Sequence, residues 1–362
     1  MTNRRELLGG LAGAIAGLAF TECGLGRHAH AQASQTGVAP QQRRREVVVS
    51  GKRVRTVDIH AHCHIPEALA LMGLKENYPP LSNMPDRLKA MDAQGIDMEA
   101  LSLNPIFWLK AERDQAAQVV KLQNEKLAEI CAAQSDRFVG MASVALQYPD
   151  LAAEQLEDAA KRLGMRGVLI GGSVNGEDLS NEKFHPFWAK AEQLGILVFI
   201  HPQGTPEVEA TGRLKGNGVL DNVIGNPLET TIALSHLIFE GTLDQYPGLK
   251  ICGAHGGGYL PSYAARSDQG CVTFPARCTR QLKKKPTEYL KQLYYDSLVF
   301  TAEGLRHLIA EVGTSQIMIG TDYPFPWTTT AVDHVLNQPG LSDADRVAIL
   351  GGNAERVLAL KS

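Results

Sequence analysis

From residue 57 to the end of the chain, short apolar runs alternate with amphipathic segments, and this alternation is the feature that most constrains the fold. The apolar runs lack a polar face, which is typical of interior strands in a parallel sheet. The segments between them carry apolar residues at helical spacing, which predicts helices that cover the sheet. The predicted strands span residues 57–60, 98–103, 138–145, 167–171, 196–201, 250–254, 293–296 and 316–320.

Eight strands that are each followed by a helix meet the requirement of a closed TIM (β/α)8 barrel. An open, doubly wound sheet is the alternative, but it would need a Gly-rich phosphate-binding loop after the first strand. This chain has histidines at that point instead, so the α/β class with a TIM (β/α)8 barrel is predicted for residues 46–362. The predicted helices span about 85–94, 114–134, 150–163, 182–194, 227–244, 286–292, 302–312, 331–337 and 342–360, with a hairpin before the first strand, a loop at 203–224 and an irregular insert at 262–283.

The first predicted strand ends in a cluster of histidines. Because residues i and i+2 of a strand point to the same side, His60 and His62 aim at one place and can share a metal ion. His64 would continue that face only if the strand persisted, and Pro66 indicates that the chain is already turning. A structural role is therefore favoured for His64.

Three more candidate ligands follow later strands. His201 ends the fifth predicted strand, His255 follows the sixth and Asp322 follows the eighth. Catalytic groups of such barrels lie at the carboxyl ends of the strands, so these residues should meet His60 and His62 at one rim. Imidazole and carboxylate ligands suit one divalent ion, Zn2+ first and Mn2+ as the alternative.

Each of the three also has a structural interpretation. His201 before Pro202 is compatible with a hydrogen-bonded turn histidine. His255, followed by three glycines, is compatible with a helix cap, and Asp322 with an Asx-turn residue. Glu229 lies in a first helical turn, where the helix dipole favours a carboxylate.

Residues 1–33 have the layout of an export signal. The Arg4–Arg5 pair precedes leucines, a Gly/Ala-rich run follows at 9–20, and small-x-small cleavage positions lie at 29–33. The paired arginines resemble a twin-arginine signal, which predicts a periplasmic or secreted enzyme that is loaded with metal before export. A frayed amphipathic N-terminus is the alternative. The polar residues 34–45 are predicted to be a disordered linker.

Composition limits the partners. The formal net charge is −3, and no basic stripe suggests nucleic-acid binding. After removal of the leader, no apolar run is long enough for a stable membrane span. Five of the six cysteines would remain, and in an oxidising compartment Cys271 and Cys278 are the pair to test for a disulfide.

Several segments together resemble the aminocarboxymuconate-semialdehyde decarboxylase family, a branch of the amidohydrolase superfamily. They are DIHAH, MDAQGIDMEALSLNP, RFVGMASVALQ, LVFIHP, NPLETTIAL, LKICGAHGGGYLP, IGTDYPFP and GNAERVL, and they span residues 57–358. The resemblance implies the predicted barrel and one divalent metal. It implies that His60, His62, His201 and Asp322 hold the metal and that His255 is the acid–base partner beside it.

The resemblance also implies a substrate class and an assembly. Members of the family release carbon dioxide from aromatic or unsaturated carboxylates, and relatives include hydratases and hydrolases. An arginine after the HGGG motif, here Arg277 with Arg266 as the alternative, would bind the substrate carboxylate in a neighbouring subunit, so a homodimer is expected. The family's other carboxylate-binding arginine has no counterpart between His64 and Met84, which argues against the namesake substrate.

The sequence therefore predicts a metal-dependent decarboxylase of a small carboxylic acid, with His255 and Asp322 as its catalytic residues. A metal-dependent hydrolase of a lactone, amide or ester is the first alternative, because the same ligands serve both reactions. An exported metal-binding protein without catalysis is the second.

Overall fold

The computed structural model describes residues 44–75 and 83–360. The predicted export signal, residues 1–33, lies outside the described residues, and so does the predicted linker except for its last two residues. Those two, Arg44 and Arg45, form ion pairs with Asp97 and Asp333.

Eight parallel strands form the centre of the molecule, in the order in which they occur along the chain. The first and last strands are joined by hydrogen bonds from Ile59 N to Ile319 O, 2.9 Å, and from Asp322 N to His60 O, 2.7 Å. The predicted (β/α)8 barrel is therefore confirmed. The strands are β1 (Val57–Cys63), β2 (Met98–Leu103), β3 (Phe138–Ala142), β4 (Gly167–Ile170), β5 (Leu197–Ile200), β6 (Lys250–Gly253), β7 (Tyr294–Asp296) and β8 (Ile317–Met318).

Helices follow the strands and cover the outside of the barrel. Their inward faces are apolar, as in α2, which buries Val119, Val120 and Leu127. The main helices are α1 (Met84–Gln94), α2 (Arg113–Ala133), α3 (Pro149–Lys161), α4 (His185–Leu194), α5 (Asn226–Phe239), α6 (Ala264–Thr273) and α7 (Ala302–Val312). Shorter helices are Pro66–Leu71, Pro206–Ala210, Thr242–Gln245, Pro286–Tyr289, Ala331–Leu336, Asp343–Val347 and Asn353–Val357.

The strand register aligns the ends that carry the candidate ligands. Ile200, the last residue of β5, pairs with Ile170 of β4 and with Gly253 of β6. The residues that follow these strands therefore leave the barrel at the same rim. In β1 the pairing with β2 shifts between Asp58 and Ala61. Such an irregularity re-aims a side chain, and here it lies at His60.

The predicted loop and insert contain more regular structure than the sequence indicates. The loop at 203–224 includes Pro206–Ala210 and the start of a π-helix, Asp221–Gly225. The insert at 262–283 contains α6 and a disulfide between Cys271 and Cys278. The predicted hairpin forms from Val48–Val49 and Lys52–Arg53. Among the described helices, none combines the length and the apolar character that crossing a bilayer requires.

Candidate metal centre

Candidate ligand atoms from three histidines and one aspartate converge at the carboxyl end of the barrel. Nitrogens of His60, His201 and His255 and a carboxylate oxygen of Asp322 all lie within 4.8 Å of one another. His62 lies beside them, with its Nε2 2.9 Å from Nε2 of His60 and 3.1 Å from Oδ1 of Asp322. The structure thus brings together all five residues that the strand-end argument singled out.

Hydrogen bonds at the far side of two imidazole rings fix which nitrogen carries the lone pair. Nδ1 of His60 donates to Asp296 Oδ2 at 2.7 Å, and Nδ1 of His62 donates to Ser102 Oγ at 2.9 Å. Both Nε2 atoms then present lone pairs toward the same point, only 2.9 Å apart. Two lone pairs at this distance repel each other, so either a proton on one Nε2 or a metal ion lies between the rings and Asp322.

Unpartnered polar atoms at the same place point to the same occupant. Both ring nitrogens of His201 and Oδ1 of Asp322 are buried without a hydrogen-bond partner among the described residues. Buried polar atoms normally have partners, and coordination of a metal ion satisfies them when hydrogen bonds do not. Imidazole nitrogens and a carboxylate suit a divalent ion, so the residues fit one metal site.

The predicted ligand set and the tightest geometric group differ by one residue. The prediction names His60, His62, His201 and Asp322, whereas the compact group contains His255 in place of His62. Which of the two rings binds the ion stays a prediction, and so do the catalytic roles of His255 and Asp322.

The electrostatics of the site favour positive charge. Burial by itself would lower the pKa of His60, but Asp322 and Asp296 raise it to about 10. Burial, together with the charge of the neighbouring His60, lowers the pKa of His62 to about 4 although Asp322 opposes the shift. Burial would raise the pKa of Asp322, yet the surrounding histidines hold it well below its usual range. Asp322, and Asp296 whose pKa is lowered as well, therefore stay ionised and provide the negative charge that a divalent ion requires.

Asp296 is the functional residue that the sequence reasoning missed. It is the last residue of β7, is fully buried, and accepts hydrogen bonds from His60 Nδ1 and from the backbone N–H groups of His255 and Gly256. Burial would raise the pKa of Asp296, but the hydrogen bond from His60 and its charge lower it. The signal was available, since Asp296 ends an apolar run as Asp322 and His201 do.

A buried ion pair supports the other histidine of the first strand. Arg87 of α1 pairs with Glu99 of β2 at 2.7 Å, and the same guanidinium donates to the backbone carbonyl of His62. Asp58 accepts hydrogen bonds from Thr321 and from the His60 N–H. Burial raises the pKa of Asp58 to about 8. These contacts fix the backbone of β1 where the two histidines lie.

His255 and Asp322 both have strained backbones. Their φ angles are 54° and 59°, values that non-glycine residues rarely adopt. Nε2 of His255 lies 3.6 Å from Oδ2 of Asp322, and the His255 side chain is 18% exposed, whereas the other ligand candidates of the cluster are buried. His255 is therefore the member of the cluster that a substrate reaches most directly.

The cluster opens into a cavity of about 460 Å3. His201, His255 and Asp322 form its inner wall, and Asn104, Gln203, Asn222, Asn226, Phe325 and Trp327 are among its other lining residues. Among the residues that the structure describes, no arginine or lysine lines this cavity. The walls therefore offer amides and aromatic faces to a ligand, and the cluster offers the charge.

Glu229 stabilises, through hydrogen bonds, the loop that contains Gln203. Its carboxylate is 5% exposed and accepts hydrogen bonds from the backbone N–H groups of Gln203 and Gly204 and from Ser173 Oγ. Burial raises the pKa of Glu229 to about 7, although these hydrogen bonds oppose the rise. The residue supports the wall of the cavity and does not line it.

Arg277, the predicted substrate-binding residue, does not line the cavity at the metal centre. It belongs to the short turn Pro275–Arg277 and lines a separate cavity of about 290 Å3 beside Cys271 and Cys278. No residue that lines this cavity also lines the cavity at the metal centre. Within one chain the structure does not bring Arg277 to the site, so its predicted contact depends on a second copy.

Residues 57–360 match the family model described as amidohydrolase. The chain is 31% identical over 278 residues to a 2-amino-3-carboxymuconate-6-semialdehyde decarboxylase of Dictyostelium discoideum, with 76% of each chain covered. It is 32% identical over 286 residues to a gamma-resorcylate decarboxylase of a Rhizobium species, covering 76% of this chain and 86% of the relative.

Solved structures agree with these relatives. The 2,6-dihydroxybenzoate decarboxylase from Rhizobium has a TM-score of 0.74 at 29% identity and covers 85% of this chain and 100% of its own. A dihydroxybenzoic acid decarboxylase of a Polaromonas species, with bound manganese and the inhibitor 2-nitroresorcinol, has a TM-score of 0.75 at 27% identity and covers 85% and 97%. All four of these proteins are named as decarboxylases, and one of the two solved structures contains bound manganese.

Proposed function

The chain belongs to the amidohydrolase family, and from this premise we propose that it is a metal-dependent decarboxylase of an aromatic carboxylic acid. One observation carries the proposal: the cluster of His60, His201, His255 and Asp322 opens into a cavity of about 460 Å3 with aromatic and amide walls. A cavity of this size accommodates a substituted benzene ring whose carboxylate faces the cluster.

In the proposed reaction the bond between the ring carbon and the carboxylate breaks, carbon dioxide leaves, and the ring carbon takes up a proton. A bound divalent ion would act as a Lewis acid that polarises the oxygens of the substrate. His60, His62, His201 and Asp322 would hold the ion, as the sequence predicts. His255 borders the cavity beside Asp322 and is the group placed to deliver the proton at its Nε2.

We propose Zn2+ as the resident ion, because histidine and carboxylate donors suit it, with Mn2+ as the alternative. The manganese in the Polaromonas decarboxylase supports the alternative. Elemental analysis of protein purified without added metal, followed by reconstitution with each ion after chelation, distinguishes the two.

The function is tested by measuring carbon dioxide release from 2,6-dihydroxybenzoate and related hydroxybenzoates by metal-loaded protein. His255→Asn should reduce kcat at least a hundredfold, as expected for loss of a general acid, while 2-nitroresorcinol still binds. Ring opening of lactones or cleavage of esters without carbon dioxide release would instead establish the hydrolase. A protein that holds metal but turns over neither set of substrates is the non-catalytic binder.

We also propose that the protein is exported and dimeric. The paired arginines at positions 4 and 5 support the first statement. The second is supported by the resemblance to a family in which a neighbouring subunit contributes an arginine, since Arg277 lines a cavity other than the one at the metal centre of its own chain. Replacing both arginines with lysine should retain the protein in the cytoplasm of the producing cell. Arg277→Ala should raise KM without changing metal content if a second copy contributes this residue.

A further inference from the structure

A second cavity of about 700 Å3 adjoins the cavity at the metal centre. The two share four lining residues, Asn222, Asn226, His255 and Trp327. The rest of the second cavity has largely apolar walls. We call it the apolar annex and define it by Val223, Tyr259, Leu298, Val299, Phe300 and Leu308.

Several large apolar side chains in the walls of the annex are partly exposed. Phe300 is 55% exposed, Val223 42%, Trp327 41% and Tyr259 37%, and the rings of Phe300 and Trp327 lie 6.3 Å apart. Exposed apolar side chains that line a concave surface are typical of a site that binds an apolar group of a ligand. Since the annex shares His255 with the reacting site, a ligand that starts at the metal centre can extend into it.

Backbone strain extends from the metal centre into the annex. Phe300 has a φ of 58°, as unusual for a bulky residue as the values of 54° at His255 and 59° at Asp322. Six described residues other than glycine have a positive φ, and three of them line these two cavities. Strain of this kind is retained where it positions a functional side chain, and here it presents the Phe300 ring to the cavity.

The annex also lacks charge. Within residues 44–75 and 83–360, no arginine, lysine, aspartate or glutamate lines the annex, and its polar side chains there are amides, a serine, a tyrosine and histidines. A second carboxylate or a phosphate would lose its hydration there without gaining an ionic partner. The portion of the substrate that enters the annex is therefore uncharged and apolar.

We propose that the substrate is an aromatic monocarboxylic acid with an apolar arm, an alkyl chain of several carbons or a second ring, that lies in the annex while the carboxylate lies at the metal centre. The inference rests on the decarboxylase function proposed above and specifies its substrate class. A ring with only small polar substituents would leave the annex empty.

The test uses 2,6-dihydroxybenzoate and its 3- and 4-n-alkyl derivatives with one to six carbons. For at least one attachment position, kcat/KM should rise with chain length, by up to about fourfold for each methylene that is buried. Ser262, an exposed residue of the turn Pro261–Tyr263, lines the annex away from the metal cluster. Ser262→Phe should lower the ratio of kcat/KM between the hexyl and unsubstituted substrates at least tenfold, and Ser262→Ala should preserve it.

An equilibrium measurement makes the inference testable without turnover. The decarboxylated products, resorcinol and its 4- and 5-hexyl derivatives, are titrated by calorimetry into the metal-loaded wild type and both variants. Hexylresorcinol should bind at least tenfold more tightly than resorcinol to the wild type and to Ser262→Ala, but not to Ser262→Phe.

Two results would overturn the inference. One is a flat chain-length series at both attachment positions in binding and, where turnover occurs, in kcat/KM. The other is a Ser262→Phe protein that dissociates into monomers while its preference for the alkyl chain is unchanged, because the annex would then be covered by a second copy. Failure of the decarboxylase proposal looks different: no substrate releases carbon dioxide, whatever the binding data show.

Discussion

Nδ1 of His60 lies 2.7 Å from Oδ2 of Asp296, and both side chains are fully buried. The carboxylate fixes the ring orientation and leaves the Nε2 lone pair facing Asp322. Because Asp296 also accepts the backbone N–H of His255, one carboxylate positions two members of the cluster.

Asp296→Asn should weaken metal binding by about ten- to a hundredfold, since an amide holds the imidazole less well and cannot accept all the hydrogen bonds that the carboxylate accepts. Competition with a chromophoric chelator measures the affinity. Asp136→Asn is the matched control. Asp136 is exposed and lies just before the amino end of β3, whereas the metal centre lies at the carboxyl ends of the strands, so this change should leave the affinity within about twofold. Equal metal affinity in the two variants would show that Asp296 is not needed to orient His60.

Asp296 also illustrates which residues of the site can be predicted from the sequence. His60, His62, His201, His255 and Asp322 could be predicted because each follows an apolar strand, and parallel strands of one barrel end at one rim. Asp296 satisfies the same rule. It follows two tyrosines and is itself the last residue of β7, so the sequence pattern does not separate it from the strand.

Other features depend on contacts that no local pattern encodes. The annex forms where the segment before α7, the turn Pro261–Tyr263 and the π-helix Asp221–Gly225 come together, and these are far apart in the chain. The helix inside the predicted loop, Pro206–Ala210, has only five residues. This is too short for a helical spacing of apolar residues to be recognised in the sequence. The placement of Arg277 depends on how the insert folds back, which the disulfide between Cys271 and Cys278 constrains.

Removal of a candidate ligand should abolish stabilisation by metal. A ligand that binds only the folded protein raises its stability by RT ln(1 + [L]/Kd), about 2.7 kcal/mol at a hundredfold excess over Kd. Adding Zn2+ or Mn2+ to chelated protein should therefore raise the Tm of the wild type, and His201→Ala should lose this rise. His236→Asn, on the exposed face of α5, should retain it. A normal rise in His201→Ala would exclude His201 as a ligand.

Glu229 should make the protein less stable as pH increases. Its pKa is raised from 4.5 to about 7 in the folded protein. Between these two values the folded state binds more protons at this group than the unfolded state, so the free energy of unfolding falls as pH rises through about 4.5 to 7. The fall attributable to Glu229 is about 3 kcal/mol and is complete above the folded pKa.

Glu229→Gln should remove that part of the pH dependence. The glutamine oxygen can accept from the Gln203 and Gly204 N–H groups, so the loop keeps its support without a buried charge. Urea unfolding at pH 5, 6, 7 and 8 in the presence of a chelator is the measurement, and the variant should be the more stable protein at pH 8. Glu154→Gln, an exposed change in α3, is the control. A variant as pH-dependent as the wild type would mean that Glu229 titrates normally.

The third glycine of the HGGG motif allows β6 and α5 to approach closely. A Cβ at Gly258 would lie 2.2 Å from the carbonyl oxygen of Pro227, a backbone atom that cannot move without shifting the first turn of α5. Asn226, which borders both cavities, lies in that turn. The backbone of Gly258, with φ 66° and ψ −132°, lies in a region that is essentially restricted to glycine. Gly258→Ala should therefore lower the free energy of unfolding by more than about 3 kcal/mol, through this backbone strain and the steric overlap together.

Gly164→Ala is the control for a glycine that has a positive φ but no close neighbour. Gly164 has a φ of +71°, close to the +66° of Gly258, but nothing lies within 4 Å of its Cβ position. Its replacement should therefore cost only the backbone strain, and substrate binding should be unaffected because Gly164 lies outside both cavities. Urea unfolding of the two variants, with KM for the best substrate, measures both consequences. Equal destabilisation would mean that α5 yields to the added methyl group and that the close approach is not what requires glycine in this motif.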